Sequence, residues 1–271
     1  MKAIIPAAGH GTRFFPASKV IPKELLPVAG KPAIQWIVEE ALDAGADEII
    51  IVTSPEKALL RKYFTEEPVW YDRLKNKNAA KAALQKVDKI SAKIRFVEQT
   101  AQLGLGHAVL QAAPLLSGTA EPVLILLGDA LVLSDQPCAV SMVEASRMYG
   151  AASVVGLERV ASDKVSRYGI VAGKETDRNN IYELSALVEK PSPEDAPSDL
   201  AIAGRYLLHP RIFDLLENTG AGHGGEIQLT DAVAALLKEF PVLGYRYPGR
   251  RFDIGNPAGY LITLNAYAEL M

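Results

Sequence analysis

The chain has 271 residues, 49% of them apolar and 23% charged, which are the proportions of an ordinary folded protein and exclude disorder or low-complexity structure. Lys and Arg number 29 against 32 Asp and Glu, a net charge of −3, so no global basic field exists for nucleic acid and any phosphate ligand must be met by local cations. Cys138 is the only cysteine, which rules out an intramolecular disulfide and a Cys-based zinc site.

The N-terminal apolar run is too short for a signal peptide, and the most apolar stretch, Pro122 to Leu133, is cut by Asp129 and is too short to span a bilayer. The expectation is a cytoplasmic globular protein with no membrane and no nucleic-acid partner. In chain order, Lys2–Pro6 is a short apolar strand leading into a Gly-rich loop. Pro32 is placed to start a helix whose apolar face holds Ile34, Ile37, Val38, Ala41 and Leu42, with Gly45 as its C-terminal cap. Glu48–Thr53, Lys93–Val97 and Pro122–Leu127 are continuous apolar runs, the pattern of strands buried on both faces, and His107–Leu116 reads as a crossover helix. Pro55 to Asp88 reads as a charged, solvated helical excursion.

In the second half, Ala152–Leu157, Tyr168–Ala172, Ile181–Glu189 and Ala201–Leu208 read as strands, with a polar turn at Asp177–Asn180. A proline-rich surface loop spans Pro191–Pro197, and a mobile glycine loop spans Gly220–Gly225. Helices are expected over Glu226–Glu239 and Pro257–Leu270. The βαβα rhythm predicts an α/β fold: a Rossmann-like, doubly wound, mixed and mainly parallel sheet. No repeat or long linker divides the chain, so residues 1–271 form one domain. Residues 1–135 are expected to bind mainly nucleotide, and 136–271 to supply a sugar-binding elaboration and the C-terminal helices.

The loop Ala7-Ala8-Gly9-His10-Gly11-Thr12-Arg13 follows a strand directly. Its glycines let backbone N–H groups approach an anion, and Arg13 adds a guanidinium fork suited to phosphate. It lacks the Gly-Lys-Ser/Thr ending of a Walker A loop, and Phe14 stands where a dinucleotide fingerprint needs its third glycine, so a nicotinamide-dependent oxidoreductase is disfavoured. Lys19 and Lys23 follow in a proline-stiffened loop and place further cations near Arg13 in sequence. Asp129 closes an apolar strand, where α/β sheets bind ligands; alone, it reads as a helix cap. The four histidines have no metal-ligand spacing, and no serine sits in a nucleophile elbow.

The run Ala7-Ala8-Gly9-x-Gly11-Thr12-Arg13-Phe14-x-Pro16-Ala17-Ser18-Lys19-x-x-Pro22-Lys23-Glu24-Leu25-Leu26-Pro27-Val28 resembles the sugar-phosphate nucleotidylyltransferases. The resemblance continues in order through Gln99 and Leu103–Ala108, Leu127-Gly128-Asp129, Tyr168–Val171, Val188-Glu189-Lys190-Pro191, Gly204-Arg205-Tyr206, Gly224–Asp231 and Phe252–Gly255. It is strongest to the bacterial branch that joins UTP to glucose-1-phosphate. This implies that Ala7, Ala8, Gly9, Gly11, Thr12 and Glu24 belong to the nucleotide site, with Gln99 reading the pyrimidine edge and Gly104 giving the base close approach. It also implies Arg13, Lys23 and Lys190 as the catalytic cations, Gly169, Glu189 and Gly204 as sugar contacts, and Asp129 with Asp253 as ligands to one Mg²⁺.

The implied activity is uridylyl transfer from UTP to glucose-1-phosphate by a homodimer or homotetramer. Thymine shows Gln99 the same edge as uracil, so the dTTP reaction is the first alternative. A non-catalytic nucleotide-sugar sensor is the second, motivated by two departures from the family pattern: Ala130 where relatives often carry a second acidic residue, and Gln102 where proline is usual.

Overall fold

The computed structural model describes residues 1–69, 77–150, 153–178 and 180–270. Ala152 and Asn179, parts of a predicted strand and turn, lie outside the described residues, as does 70–76 within the charged excursion. The first half runs β1 (Lys2–Pro6), β2 (Pro27–Val28), β3 (Lys31–Pro32), α1 (Ala33–Asp43), β4 (Glu48–Thr53), α2 (Ala58–Thr65), α3 (Asn78–Ser91), β5 (Ile94–Glu98), α4 (Leu105–Leu110), β6 (Val123–Leu126), β7 (Ala130–Ser134) and α5 (Cys138–Tyr149). The second half runs β8 (Ser153–Arg159), β9 (Gly169–Glu175), β10 (Ile181–Glu189), β11 (Leu200–Leu208), α6 (Ile212–Glu217), α7 (Leu229–Leu236), β12 (Val242–Arg246), β13 (Gly249–Asp253) and α8 (Pro257–Ala268).

Nine strands form one mixed sheet in the order β5-β4-β1-β6-β11-β8-β12-β10-β9. The edge β5-β4-β1-β6 is parallel, as its continuous apolar runs predict. At β11 the direction reverses, and β9 pairs with both β10 and β11, which curls the second half towards a closed barrel. Strand side chains alternate between two cores. Ile5, Ile49, Ile51 and Leu124 face α1, α2 and α5, while Ile4, Ile50, Val52 and Ile125 face α4, α6 and α7.

The sequence reading omits α5, and burial explains why. Cys138, Ala139, Ser141, Met142, Val143, Ala145 and Ser146 are all buried, so no polar stripe announces its period. It also omits the ribbon β7–β13, in which Ala130 faces Asp253. The helix predicted over 226–239 starts only at Leu229. Ahead of it Glu226 is extended, and Ile227 exchanges backbone hydrogen bonds with the 103–106 loop: Ile227 N–H to Leu103 O at 2.8 Å, and Gly106 N–H to Ile227 O at 2.8 Å.

Candidate active site

The nucleotide loop leaves β1 at the centre of the parallel edge. Ala7 N–H donates to Val52 O at 2.7 Å and Gly128 N–H to Pro6 O at 3.0 Å, which fixes the start of the loop to its two neighbours. Ala7 and Ala8 are buried, whereas Gly9, Thr12 and Arg13 are exposed, and no atom lies within 4 Å above Gly9. The loop therefore presents open backbone to a ligand and leaves Arg13 at its rim without a carboxylate partner among the described residues.

Glu24 departs from its expected role as a nucleotide contact. It is 1% exposed, and both its oxygens accept from Lys57 Nζ at 2.9 Å. Lys57 Nζ gives its remaining hydrogen bond to Ala7 O at 2.7 Å. Burial pushes the Glu24 carboxyl up and the Lys57 ammonium down. Glu24 and Lys57 thus position the loop from beneath. Sequence reasoning missed Lys57, whose signal was a lone lysine in the Ser54-Pro55-Glu56-Lys57 turn that follows the buried β4.

Asp129 follows β6, and the β7–β13 ribbon folds Asp253 back beside it; Ile254 N–H closes the turn on Asp129 O at 2.9 Å. Asp253 Oδ1 accepts from Gly255 N at 2.6 Å. A Cβ built on Gly255 would lie 2.8 Å from Asp253 Oδ1 and 3.4 Å from Asp129 Oδ2, so both carboxylates converge on one small residue. Lys23 Nζ pairs with Asp129 Oδ2. Burial would raise the Asp129 carboxyl, but Lys23 first and Lys57 behind it hold it below the ordinary carboxylate range. Burial opposes the Lys23 charge, and Asp129, Glu24 and Asp253 together raise it.

Among the described residues, no three acidic, His or Cys side chains converge as a metal site. Two carboxylates fit Mg²⁺, a hard cation that takes one or two carboxylates and fills its octahedron with substrate phosphate and water. Ala130 is 3% exposed and stands opposite Asp253 in the ribbon, so its side chain shares a face with that carboxylate, and a Cβ built on Gly204 would lie 3.4 Å from its Cβ. Behind the ribbon, the fully buried Arg205 donates to Ala130 O at 2.7 Å and forms a bidentate pair with Glu40.

Gln99 is 3% exposed at the end of β5, with its N–H on Thr53 O at 2.8 Å. Its carboxamide Nε2 reaches Gly104 O at 3.2 Å and His107 Nδ1 at 2.9 Å. Gln102 Nε2 donates to Ala8 O at 3.4 Å, so this departure ties the base loop to the nucleotide loop rather than loosening it. Gly104 has φ +103°, and a Cβ there would meet Glu226 Cβ at 2.7 Å and Ile227 O at 2.8 Å. The segment ahead of α7 therefore requires a glycine here, whatever its backbone offers to a base. Gly104→Ala is expected to cost about 1–3 kcal/mol through overpacking and to raise the nucleotide KM. Thermal melting and KM both equal to the parent's would contradict this.

Glu189 ends β10 and Lys190 leaves it with φ +46°, in the left-handed region that a lysine rarely adopts. Lys190 N–H donates to Tyr168 O at 2.9 Å, and its Nζ lies 3.2 Å from Glu189 Oε1. Gly169 opens β9 opposite Glu189, and a Cβ there would lie 2.8 Å from Thr230 Oγ1, so packing on α7 also calls for a glycine. Gly204 has φ +74° within the irregular stretch of β11 and packs on Leu127, so it too serves the fold. The Gly-rich loop expected to be mobile is closed on itself: Gly222 N–H donates to Glu226 O at 2.8 Å, and Gln228 Nε2 to His223 O at 2.9 Å. This loop joins the base cluster at Gly104 to Asp231, whose carboxyl is raised by burial first and by Glu189 second.

The open backbone loop at the sheet's carboxyl edge, the paired carboxylates and the flanking cations define a protein that binds a phosphorylated nucleotide beside a hydroxylated co-substrate. The chain matches the nucleotidyl transferase family model over residues 2–269 and belongs to that family. It is 42% identical to a UTP–glucose-1-phosphate uridylyltransferase of Bacillus subtilis, an alignment covering 95% of this chain and 86% of the relative. A crystal structure of a UDP-glucose pyrophosphorylase complexed with UDP-glucose superposes with a TM-score of 0.88 at 39% identity, covering 100% of this chain and 99% of that one. A UTP-bound UDP-glucose pyrophosphorylase from Acinetobacter baumannii gives 0.83 at 36% identity, covering 100% and 94%.

Proposed function

We propose that the chain transfers the uridylyl group of UTP to glucose-1-phosphate. The observation that carries this reading is the convergence of Asp129 and Asp253 beside the strand end that opens the glycine loop, together with the Glu189–Lys190 pair at the end of β10. The similarity to relatives that bear this activity in their names supports the choice of substrates. A phosphate oxygen of the sugar phosphate attacks the α-phosphorus of UTP. The bond from that phosphorus to the bridging oxygen breaks, and pyrophosphate leaves with the electron pair. The nucleophile is already anionic, so no protein base is required.

Residues 1–135 hold the nucleotide: the backbone of Ala7–Gly11 with Thr12 lines the triphosphate, Gln99 pairs with the uracil edge, and Arg13 and Lys23 neutralise charge. Residues 136–271 hold the sugar: Glu189 accepts from its hydroxyls and Lys190 meets its phosphate. Asp129 and Asp253 would hold Mg²⁺, which when bound supplies Lewis-acid stabilisation of phosphate charge. A cytoplasmic reaction is part of the proposal, supported by two charged substrates that do not cross a bilayer unaided. Among the described residues, no helix is long and apolar enough to cross a membrane.

With Mg²⁺ and glucose-1-phosphate, pyrophosphate release is expected to be fastest with UTP among UTP, dTTP, CTP, ATP and GTP, and to stop on adding EDTA. A preference for dTTP would move the reaction to thymidylyl transfer, and release unaffected by EDTA would sink the metal assignment. A homo-oligomer is part of the same proposal. Helix α8 is apolar on its outer face at Leu261 and Ile262, and the adjoining loop exposes Phe15, Val20 and Ile21. Phe14 packs edge-on to Tyr260 at 6.1 Å, which sets the loop and helix side by side. Light scattering is expected to give at least a dimer mass for the parent and a monomer mass for Leu261→Glu/Ile262→Glu. A monomeric parent would overturn this part.

A further inference from the structure

A second cleft of about 480 Å³ opens where the ends of β8 and β12 meet β13. Its lining is unusually basic: Arg159, Lys164, Arg246, Arg250 and Arg251 all face it. Two of these have carboxylate partners, Arg159 with Asp199 at 2.5 Å and Arg251 with Glu158 at 2.5 Å. The other three have none among the described residues. Arg250 lies 4.9 Å over the Phe252 ring, and Lys164 is exposed without a counter-charge. The Arg246 guanidinium donates to Asn180 Oδ1, while its buried Nε has no acceptor among the described residues. A buried donor left without an acceptor beside unneutralised cations lacks an anion. None of these residues is needed for the transfer described above.

We propose that this cleft is a second anion site, one that takes the diphosphate group of a small soluble molecule. Three unpaired cations match a multiply charged phosphate better than a carboxylate, and the Arg forks match its planar oxygen pairs. The site reaches the active site along two short paths. Arg251 stands two residues before Asp253 on the same face of β13, and its guanidinium lies 4.8 Å from the Tyr168 ring. The carbonyl of Tyr168 in turn holds Lys190 N–H. A bound anion competes with Glu158 for Arg251 and so acts on the strand that carries Asp253 and on the residue that fixes Lys190.

The test counts pyrophosphate bound per chain by equilibrium dialysis with Mg²⁺ present and no nucleotide or sugar added, so that nothing turns over. The count does not depend on which sugar or base the active site accepts. The parent is expected to bind two, the exposed-residue variant Lys164→Ala/Arg250→Ala one, and the active-site variant Arg13→Ala/Lys190→Ala one. Adding Arg246→Gln to the first pair is expected to leave the count at one and the remaining affinity unchanged. A parent that binds one or none, or a Lys164→Ala/Arg250→Ala variant that still binds two, overturns the proposal. Thermal melting of each variant within a degree or two of the parent secures the comparison.

Discussion

Asp129→Ala is expected to lower turnover on the order of 10²-fold or more while leaving the fold intact. Asp129 does two things in this structure: it offers an oxygen towards the point where Asp253 converges, and it neutralises Lys23. Asp129→Asn separates the two. It keeps the shape and removes the charge, so a metal role predicts nearly the full loss, whereas a purely structural role predicts near-parent rates. A loss under tenfold in a folded variant would remove Asp129 from the reaction.

The pH dependence has a definite sign. The Asp129 carboxyl is held down in the folded chain, so the stability it contributes is complete above its unfolded value of about 3.9 and is lost as pH falls through the lower folded value. Lys23 is held up, so its contribution is complete below about 10.4 and is lost as pH rises through the higher folded value. The stability gap between the parent and Asp129→Asn is therefore expected to be flat across neutral pH and to close at the acid end. A gap that closed near pH 7 would assign it to some other group.

Much of this site is legible in the sequence because its parts are local. A glycine loop after an apolar strand, a lone Asp after another, and Glu-Lys-Pro after a third each declare a strand end, where ligands bind in this fold. The sequence is silent where a residue answers to a distant neighbour. Gly104 and Gly169 read as ligand contacts, and the sequence does not show that their missing side chains also make room for Glu226 and Thr230, more than 60 residues away in the chain. Glu24 reads as part of the nucleotide motif, but its partner Lys57 stands at the start of α2 and shares no motif with it. The β7–β13 ribbon escapes for the same reason: its two strands are five residues each, more than 100 residues apart, and pair only with each other. Arg205 stands within a recognised motif, but its use lies in Glu40 and Ala130 O, which only the fold brings to it.

The buried Lys57–Glu24 pair gives the second large effect. Lys57→Met keeps the length of the side chain but leaves Glu24, 1% exposed, as a carboxylate without its cation, and Ala7 O without its donor. Breaking such a pair on one side costs about 3–5 kcal/mol, which for a chain of this size lowers the melting temperature by on the order of 10 °C. Replacing both partners with apolar residues of similar volume is often nearly neutral, because neither charge is then stranded. Lys57→Met/Glu24→Leu is therefore expected to recover most of the melting temperature. Its activity is not expected to follow. The double variant still lacks the hydrogen bond that holds the Ala7 carbonyl, and Lys23 loses the neighbouring charge that supports it. Small misplacements of a loop that positions reacting groups cost rate out of proportion to stability, so the nucleotide KM is expected to stay raised tenfold or more. If the double variant regained both stability and KM, the pair would be a structural plug and nothing more. If the single variant melted with the parent, the pair would not be holding the loop at all. Recovery of stability without recovery of KM is the outcome that identifies Lys57 as the residue that sets the nucleotide loop in place.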